Sequence, residues 1–195
     1  MCGGTGTRLE STHEKPLYPI DGTAMIDRVV TALRESGIET IYAAVSTNAP
    51  STRSHLERAA GVMTIETSGD GYVPDLMAAL ERDDLSSPVL TVAADLPLLE
   101  ASCIDRVLAA HGSGDGSRTV CVPAALKQRL GVSIDARLEP DDHLVPTGVN
   151  VVGDADDSTT MTDVYYDIRF AVNVNRLEDA GIAARRLRDR RTAGG

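Results

Sequence analysis

Residues 2–9 read Cys-Gly-Gly-Thr-Gly-Thr-Arg-Leu, and Glu14-Lys15-Pro16-Leu17 follows close behind. Gly3, Gly4 and Gly6 lack the Cβ atoms that keep an anion away from the backbone. Successive N–H groups in such a loop form a concave nest for phosphate oxygens. Arg8 adds a planar fork suited to phosphate and Lys15 a compact positive charge. The run Gly3, Gly4, Thr5, Gly6, Thr7, Arg8 is therefore expected to grip the triphosphate of a nucleotide, with Lys15 beside it. It is not a Walker A loop, because no Gly-Lys-Ser/Thr closes it. Nor is it the dinucleotide fingerprint, because Arg8 or Leu9 stands where a third glycine would be needed. The competing reading is a surface turn next to a basic pair.

The remainder of the chain tells what such a loop would be mounted on. Residues 23–36 put Met25, Ile26, Val29, Val30 and Leu33 on one helical face, with Gly37 as a stop. Strands are expected at 40–46, 62–66 and 88–94, and helices at 51–60, 74–83 and 100–111. Further strands are expected near 118–123, 145–152 and 164–174, and a last helix over 177–190, with the final residues fraying. Strand and helix alternate through the first two-thirds, which predicts a three-layer α/β domain with a mostly parallel sheet. The last third, richer in strand, is expected to add an antiparallel element or a lid. At 195 residues the chain is expected to be one domain, 1–195.

Composition narrows the partners. A formal charge of −10 argues against nucleic acid, whose backbone calls for Lys and Arg. One Phe and no Trp leave the core to Val, Ile, Leu, Ala and Met. No apolar run approaches the length of a membrane helix, and the N-terminus shows no secretory pattern. Cys2, Cys103 and Cys121 are odd in number and widely spaced, so a reducing cytoplasm is expected. The only lysines are Lys15 and Lys127; every other cation is Arg. An acidic, Lys-poor, aromatic-poor chain is similar to proteins of high-salt cytoplasms, and a generic acidic surface is the alternative. In a chain that avoids lysine, Lys15 within the glycine signature points to a role.

Two further positions carry chemistry. Strand 88–94 runs into Asp95-Leu96-Pro97-Leu98, which places an acid at the carboxyl edge of the sheet, where open α/β folds bind ligands. A turn or helix-capping aspartate is the alternative. Asn173-Val174-Asn175 precedes the last helix, and Asn175 as an ordinary N-cap is likewise open. The four histidines, His13, His55, His111 and His143, are read as surface or loop residues.

Gly-Gly-x-Gly-Thr-Arg with Glu14-Lys15-Pro16 resembles the N-terminal signature of the nucleotidyltransferase superfamily. The resemblance implies a Rossmann-like domain in which the glycine loop wraps the triphosphate while Arg8 and Lys15 contact phosphates. Ala94-Asp95-Leu96-Pro97-Leu98 resembles the superfamily's metal segment, which implies Mg²⁺ on Asp95. Asn173 to Asp179 is similar to its Val-Asn-Thr-Pro-Glu-Asp-Leu segment, which implies Asn175 near that metal; Arg176 and Leu177 depart from the usual Thr-Pro. Two blocks narrow the family: Thr67-Ser68-Gly69-Asp70-Gly71-Tyr72-Val73-Pro74-Asp75-Leu76, and Leu144-Val145-Pro146-Thr147-Gly148-Val149-Asn150-Val151-Val152. Together they resemble the archaeal GTP:adenosylcobinamide-phosphate guanylyltransferase family of cobalamin synthesis. By position and resemblance, Thr47 and Asn48 after a strand, and Ser68, Gly69, Asp70, Gly71 and Asp75, are expected around guanine. Gly148 and Asn150 are expected near the second substrate, adenosylcobinamide phosphate; a strand with a bulge at the glycine is the alternative. The implied catalytic set is Arg8, Lys15 and Asp95, acting on GTP. Other nucleotidyltransferases of the molybdenum cofactor or of sugar phosphates are rival readings, as is a non-catalytic nucleotide-binding module. A homodimer stays open.

A phosphate loop of this kind normally follows a buried strand. Only Met1 and Cys2 precede Gly3, so the first strand of the sheet is expected to be truncated, with a natural product longer by about one short strand, roughly five or six residues.

Overall fold

The structure, a computed structural model, describes residues 1–2, 13–114, 116–138, 143–154 and 159–193. A 3-10 turn at Lys15–Leu17 leads into a small antiparallel hairpin, β1 (Pro19–Ile20) and β2 (Thr23–Ala24), closed by Asp21-Gly22. The hairpin takes the residues expected to open the first helix, so α1 is Met25–Arg34. Next come β3 (Ile41–Ser46), α2 (Pro50–Glu57), β4 (Val62–Thr67), α3 (Tyr72–Leu80), β5 (Val89–Val92) and α4 (Ala101–His111). The later part adds β6 (Ser117–Pro123), α5 (Ala124–Leu130), β7 (Leu144–Val152), β8 (Thr160–Val164), α6 (Ile168–Ala171) and α7 (Leu177–Ala193).

The sheet is mixed. β3 and β4 are parallel, in register from Ile41 opposite Val62 to Ser46 opposite Thr67. A second piece has the order β5-β7-β6-β8, with β7 antiparallel to both β5 and β6 and β8 parallel to β6. Two residues join the pieces. Cys2 bridges Val45 in parallel and donates its N–H to Ala44 O at 2.9 Å. Met1 donates its ammonium to Val92 O at 3.0 Å and accepts from Ala94 N at 3.3 Å. Met1–Cys2 thus runs as a two-residue strand between β3 and β5, parallel to both. Beside it lies a cavity of about 490 Å³. It is walled by β3 and β5 and roofed in part by Ile26, Val29, Val30 and Leu33 of α1.

α1 spans this seam. Val29 and Ala32 pack with Val92, Ile104 and Val149 on one side, and Ile26 and Val30 with Cys2, Val45 and Leu56 on the other. A third cluster gathers Ile20, Met25, Leu98, Val172 and Val174 against Ala180 and Ala183 of α7. Burying each Val, Leu, Ile or Met side chain contributes about 1.5–3 kcal/mol, so aliphatic residues build this core with little aromatic help. Phe170, the only Phe, is 0% exposed and stacks tilted on Tyr165 with ring centroids 5.0 Å apart.

Two expectations need correcting, and one helix adds to them. The stretch 164–174 is not a strand: β8 ends at Val164, and Asp167 caps α6 by accepting from Arg169 N at 3.0 Å. Helix α5 lies where the sequence pattern predicts no element, and Gly131 in the left-handed conformation closes it. His111 is neither surface nor loop, but buried in the last turn of α4.

Candidate active site

The carboxyl ends of β3, β4, Cys2 and β5 point the same way, because these strands run parallel. Asp95 leaves β5 at this edge through Ala93 and Ala94. Its carbonyl accepts from Val174 N at 2.9 Å, which lays the Asn173–Asn175 segment alongside. Lys15 arrives from the other direction. Its Nζ donates to Asp95 Oδ2 at 2.7 Å and to Asn175 Oδ1 at 2.6 Å. Three residues separated by 80 and 160 positions in sequence therefore meet at one point. The Lys15 and Asp95 side chains are each 18% exposed, so the pair is open to a ligand without being fully solvated.

Local anchors hold each member. Glu14 accepts from Ser51 N at 2.8 Å and Thr52 N at 2.7 Å, satisfying the free N–H groups in the first turn of α2. Burial pushes its carboxyl up, but these donors outweigh it and hold the group below its ordinary value. Glu14 thereby pins the turn that carries Lys15. At the far side Asp179, 1% exposed, accepts from Asn175 N and Arg176 N at 3.0 Å each, and from Ser133 N and Oγ at 2.8 Å each. It is the third residue of α7 and reaches back to cap it, the N3 half of a capping box. The cap is therefore made by Asp179, and the Asn175 side chain is free to face Lys15.

Sequence reading missed Asn173 and Lys127. Asn173 Nδ2 donates to Thr147 O at 2.8 Å and Asp95 Oδ1 at 3.3 Å, while its Oδ1 accepts from Lys127 Nζ at 3.0 Å. Lys127 is only 2% exposed, and burial holds its ammonium below the ordinary lysine value, against the pull of Asp179, Asp95 and Asp135. The one available signal was that Lys127 is the second of two lysines.

The expected base-binding residues come together at the ends of β3 and β4. Thr47 Oγ1 donates to Ser68 O at 3.1 Å. A Cβ on Gly69 would lie 2.6 Å from Asn48 Nδ2 and 3.0 Å from Ser46 Cβ, at φ +82°, so any other residue here would be strained and would push Asn48 aside. Asp75, 2% exposed, accepts from Gly69 N at 2.9 Å and Ser68 Oγ at 3.4 Å, closing the loop on itself. Ser68, Asp70 and Gly71 are exposed on it.

Gly148 and Asn150 have distinct places. Gly148 sits where the β6–β7 register shifts, at φ +83°, and a Cβ there would lie 2.7 Å from Ala93 Cβ. It is a bulge glycine that lets β7 approach the strand end leading to Asp95. Asn150 Nδ2 donates to Tyr72 Oη at 3.3 Å, and Tyr72 also bonds Thr91 Oγ1 at 3.2 Å. Tyr72 also lines a cavity of about 300 Å³, with Lys15, Asp95, Ala93, Asp75 and Cys2 in its wall. Gly3, Gly4, Thr5, Gly6, Thr7 and Arg8 lie outside the described residues.

Asp95 Oδ2 and Asn175 Oδ1 are hard oxygens that already share one cation, the Lys15 ammonium. That donor set suits a divalent metal that takes one or two protein oxygens and completes its shell with water and phosphate.

Comparison with known proteins agrees with this geometry. Residues 1–189 match the MobA-like NTP transferase domain family. The chain is 32% identical over 163 residues to the adenosylcobinamide-phosphate guanylyltransferase of Methanocaldococcus jannaschii, covering 78% of each chain. It is 31% identical over 126 residues to the bifunctional protein GlmU of Bifidobacterium adolescentis, spanning 27% of that protein. A candidate glucose-1-phosphate thymidylyltransferase of Bacillus anthracis shares the fold at TM-score 0.64 and 13% identity, over 94% of this chain and 93% of that one. Among the described residues, no helix is long and apolar enough to cross a membrane. An acid after β5 and an amide before the last helix, gathered at one sheet edge around Lys15, are thus explained together: the chain belongs to the MobA-like NTP transferase family and is a nucleotidyltransferase.

Proposed function

We propose that the chain transfers GMP from GTP onto adenosylcobinamide phosphate, releasing pyrophosphate, with Mg²⁺ as the metal. The observation that carries this reading is the convergence of Lys15, Asp95 and Asn175 on one point. The similarity to the Methanocaldococcus enzyme over 78% of each chain supports the acceptor. A phosphate monoester has a second pKa near 6, so it is largely dianionic and nucleophilic at neutral pH without a base. Its oxygen attacks the α-phosphorus in line; a new O–P bond forms, and the bond to the bridging oxygen breaks, which leaves on pyrophosphate. The protein's work is to place two anions and balance their charge.

Lys15 supplies positive charge against the triphosphate, together with Arg8. Asp95 and Asn175 would hold Mg²⁺, which when bound supplies further charge neutralisation on the phosphates. The loop from Ser68 to Asp75, with Thr47 and Asn48, is assigned to the base, and Asp75 keeps that loop in shape. Tyr72, in the cavity wall, and Asn150, its hydrogen-bond partner, are assigned to the acceptor.

Incubating the protein with Mg²⁺ and labelled GTP, and with adenosylcobinamide phosphate, molybdenum cofactor or a sugar phosphate in parallel, tests the reading. Guanylylated cobinamide is the expected product, with GTP preferred over ATP, CTP and UTP. Asp95→Ala is expected to lower the rate by about 10²–10³-fold, the scale for removing one preorganised electrostatic group, with the fold retained. Product with another acceptor only, or equal turnover of ATP, would reject the assignment.

A further inference from the structure

We propose that Lys127 is a positioning residue for nucleotidyl transfer, acting through Asn173 to set the orientation of the Asp95 carboxylate. The proposal rests on the reading of Asp95 given above. Lys127 sits in the middle of α5 with its side chain 2% exposed, in a chain that elsewhere uses arginine for every cation but one. Burying an ammonium is costly, and an apolar residue of similar volume fills such a place at least as well. Its hydrogen-bond partner is moreover a neutral amide, Asn173 Oδ1 at 3.0 Å, and the attraction of Asp179, Asp95 and Asp135 does not outweigh the cost of its burial. Stability alone therefore does not account for a lysine here.

What the ammonium does is choose between the two orientations of an amide. An ammonium can only donate, so the oxygen of Asn173 must face Lys127. The NH₂ group is then turned to the opposite side, where it donates to Thr147 O at 2.8 Å and Asp95 Oδ1 at 3.3 Å. The flipped amide would set NH₂ against the ammonium and aim its oxygen at a carbonyl and a carboxylate. With Lys127 in place, the two oxygens of Asp95 are addressed separately. Oδ1 is held from behind by Asn173, and Oδ2 accepts from Lys15, which also donates to Asn175 Oδ1. The two lysines of the chain thus reach the same carboxylate, Lys15 directly and Lys127 through one amide.

The test is a double-mutant cycle with Lys127→Met, Asn173→Ala and the pair, read in two ways. The first is steady-state transfer of GMP. The second is Mn²⁺ affinity of the protein alone, followed by electron paramagnetic resonance, with Asp95→Ala defining the signal that belongs to this carboxylate. Residues behind a metal ligand typically affect affinity or activity by about 10–100-fold. Lys127→Met is expected to lower kcat by that factor with KM for GTP nearly unchanged, and to weaken Mn²⁺ about tenfold. The double variant is expected to lose no more than the worse single variant, because both act on one path. Lys127→Arg, which keeps a donor, is expected to recover more than Lys127→Met. Losses that multiply in the double variant would overturn the proposal, as would unchanged kcat and Mn²⁺ affinity in Lys127→Met. Failure of Lys127→Met to fold, with Lys127→Arg folded but no better than Asn173→Ala, would assign the lysine to stability and also overturn it. Wild-type protein that binds Mn²⁺ through Asp95 but guanylylates none of the acceptors would reject the proposed reaction and leave this inference standing.

Discussion

Gly148→Ala puts a number on how the sheet is joined to the site. The backbone at Gly148 has φ +83°, a region that costs an L-residue about 1–2 kcal/mol. The new Cβ would also lie 2.7 Å from Ala93 Cβ, closer than two carbons pack, with Ala93 Cα at 4.0 Å behind it. Neither neighbour is a flexible chain end, so β7 must move away from β5 there. The Ala93 N to Gly148 O hydrogen bond, 2.8 Å long, resists that movement. Overpacking of this kind costs about 1–3 kcal/mol. The sum is about 2–5 kcal/mol, and for a chain of this size each kcal/mol lowers Tm by about 2–4 °C. Gly131→Ala is the control: its φ is +73°, but the nearest contact of an added Cβ is Ile182 Cδ1 at 3.8 Å. Chemical and thermal unfolding of both variants separates conformational cost from collision. Gly148→Ala is expected to lose at least about 1 kcal/mol more than Gly131→Ala. Its activity is also expected to fall, since Ala93 is two residues from Asp95. Equal destabilisation in the two variants would refute the collision argument.

Other outcomes follow from particular contacts. Asp167 is held below its ordinary value chiefly by hydrogen bonds from Arg169, with Arg106 adding to the pull. Its stabilising contribution is complete above the normal carboxylate range, near pH 4, and is lost as pH falls through the depressed folded value. Asp167→Asn should therefore flatten the acid limb of a stability-against-pH curve measured by urea unfolding. Pairing in a strand alternates sides, so the N–H groups of Tyr42 and Leu90 point into the 490 Å³ cavity, and both residues line it. Hydrogen exchange there should be much faster than at Ala43 and Thr91. The formal charge of −10 predicts that Tm rises with KCl as repulsion is screened; a flat or falling Tm toward molar salt would count against it.

The elements that were legible in the sequence are those whose burial is written in local pattern. β3 and β5 are mostly Val, Ile, Leu and Ala bounded by turns, and α1 shows its apolar face at helical spacing. The stretch 165–172 misled because Tyr, Ile, Phe and Val favour strands. There the Asp167 cap and the complete burial of Phe170 outweighed propensity and produced a four-residue helix. At the site, Lys15, Asp95 and Asn175 were readable through resemblance, and their convergence bears out no more than their proximity. Asn173 against Lys127 was not readable, because a contact 46 residues apart leaves no trace in either neighbourhood. Asp75 lies in the expected base loop, and its Oδ1 accepts from Gly69 and Ser68, a use that only the fold of the loop reveals.

The placement of the site follows from strand direction more than from any one residue. β4, β3, Met1–Cys2 and β5 are all parallel, so their carboxyl ends lie at one edge of the sheet. The base loop follows β4, Thr47 and Asn48 follow β3, and Asp95 follows β5. The glycine-rich sequence begins immediately after Cys2. β7 alone runs the other way among these neighbours, and it brings a bulge rather than an end to this edge. The bulge is what allows Thr147 O to reach Asn173 and Ala93 to stay close enough to steer Asp95. An antiparallel strand inserted between β5 and β6 therefore serves the site from behind, while the parallel strands deliver its front. This division explains why the carboxylate carries one partner set on each oxygen: Lys15 from the loop side on Oδ2, and Asn173, backed by Lys127, from the core side on Oδ1.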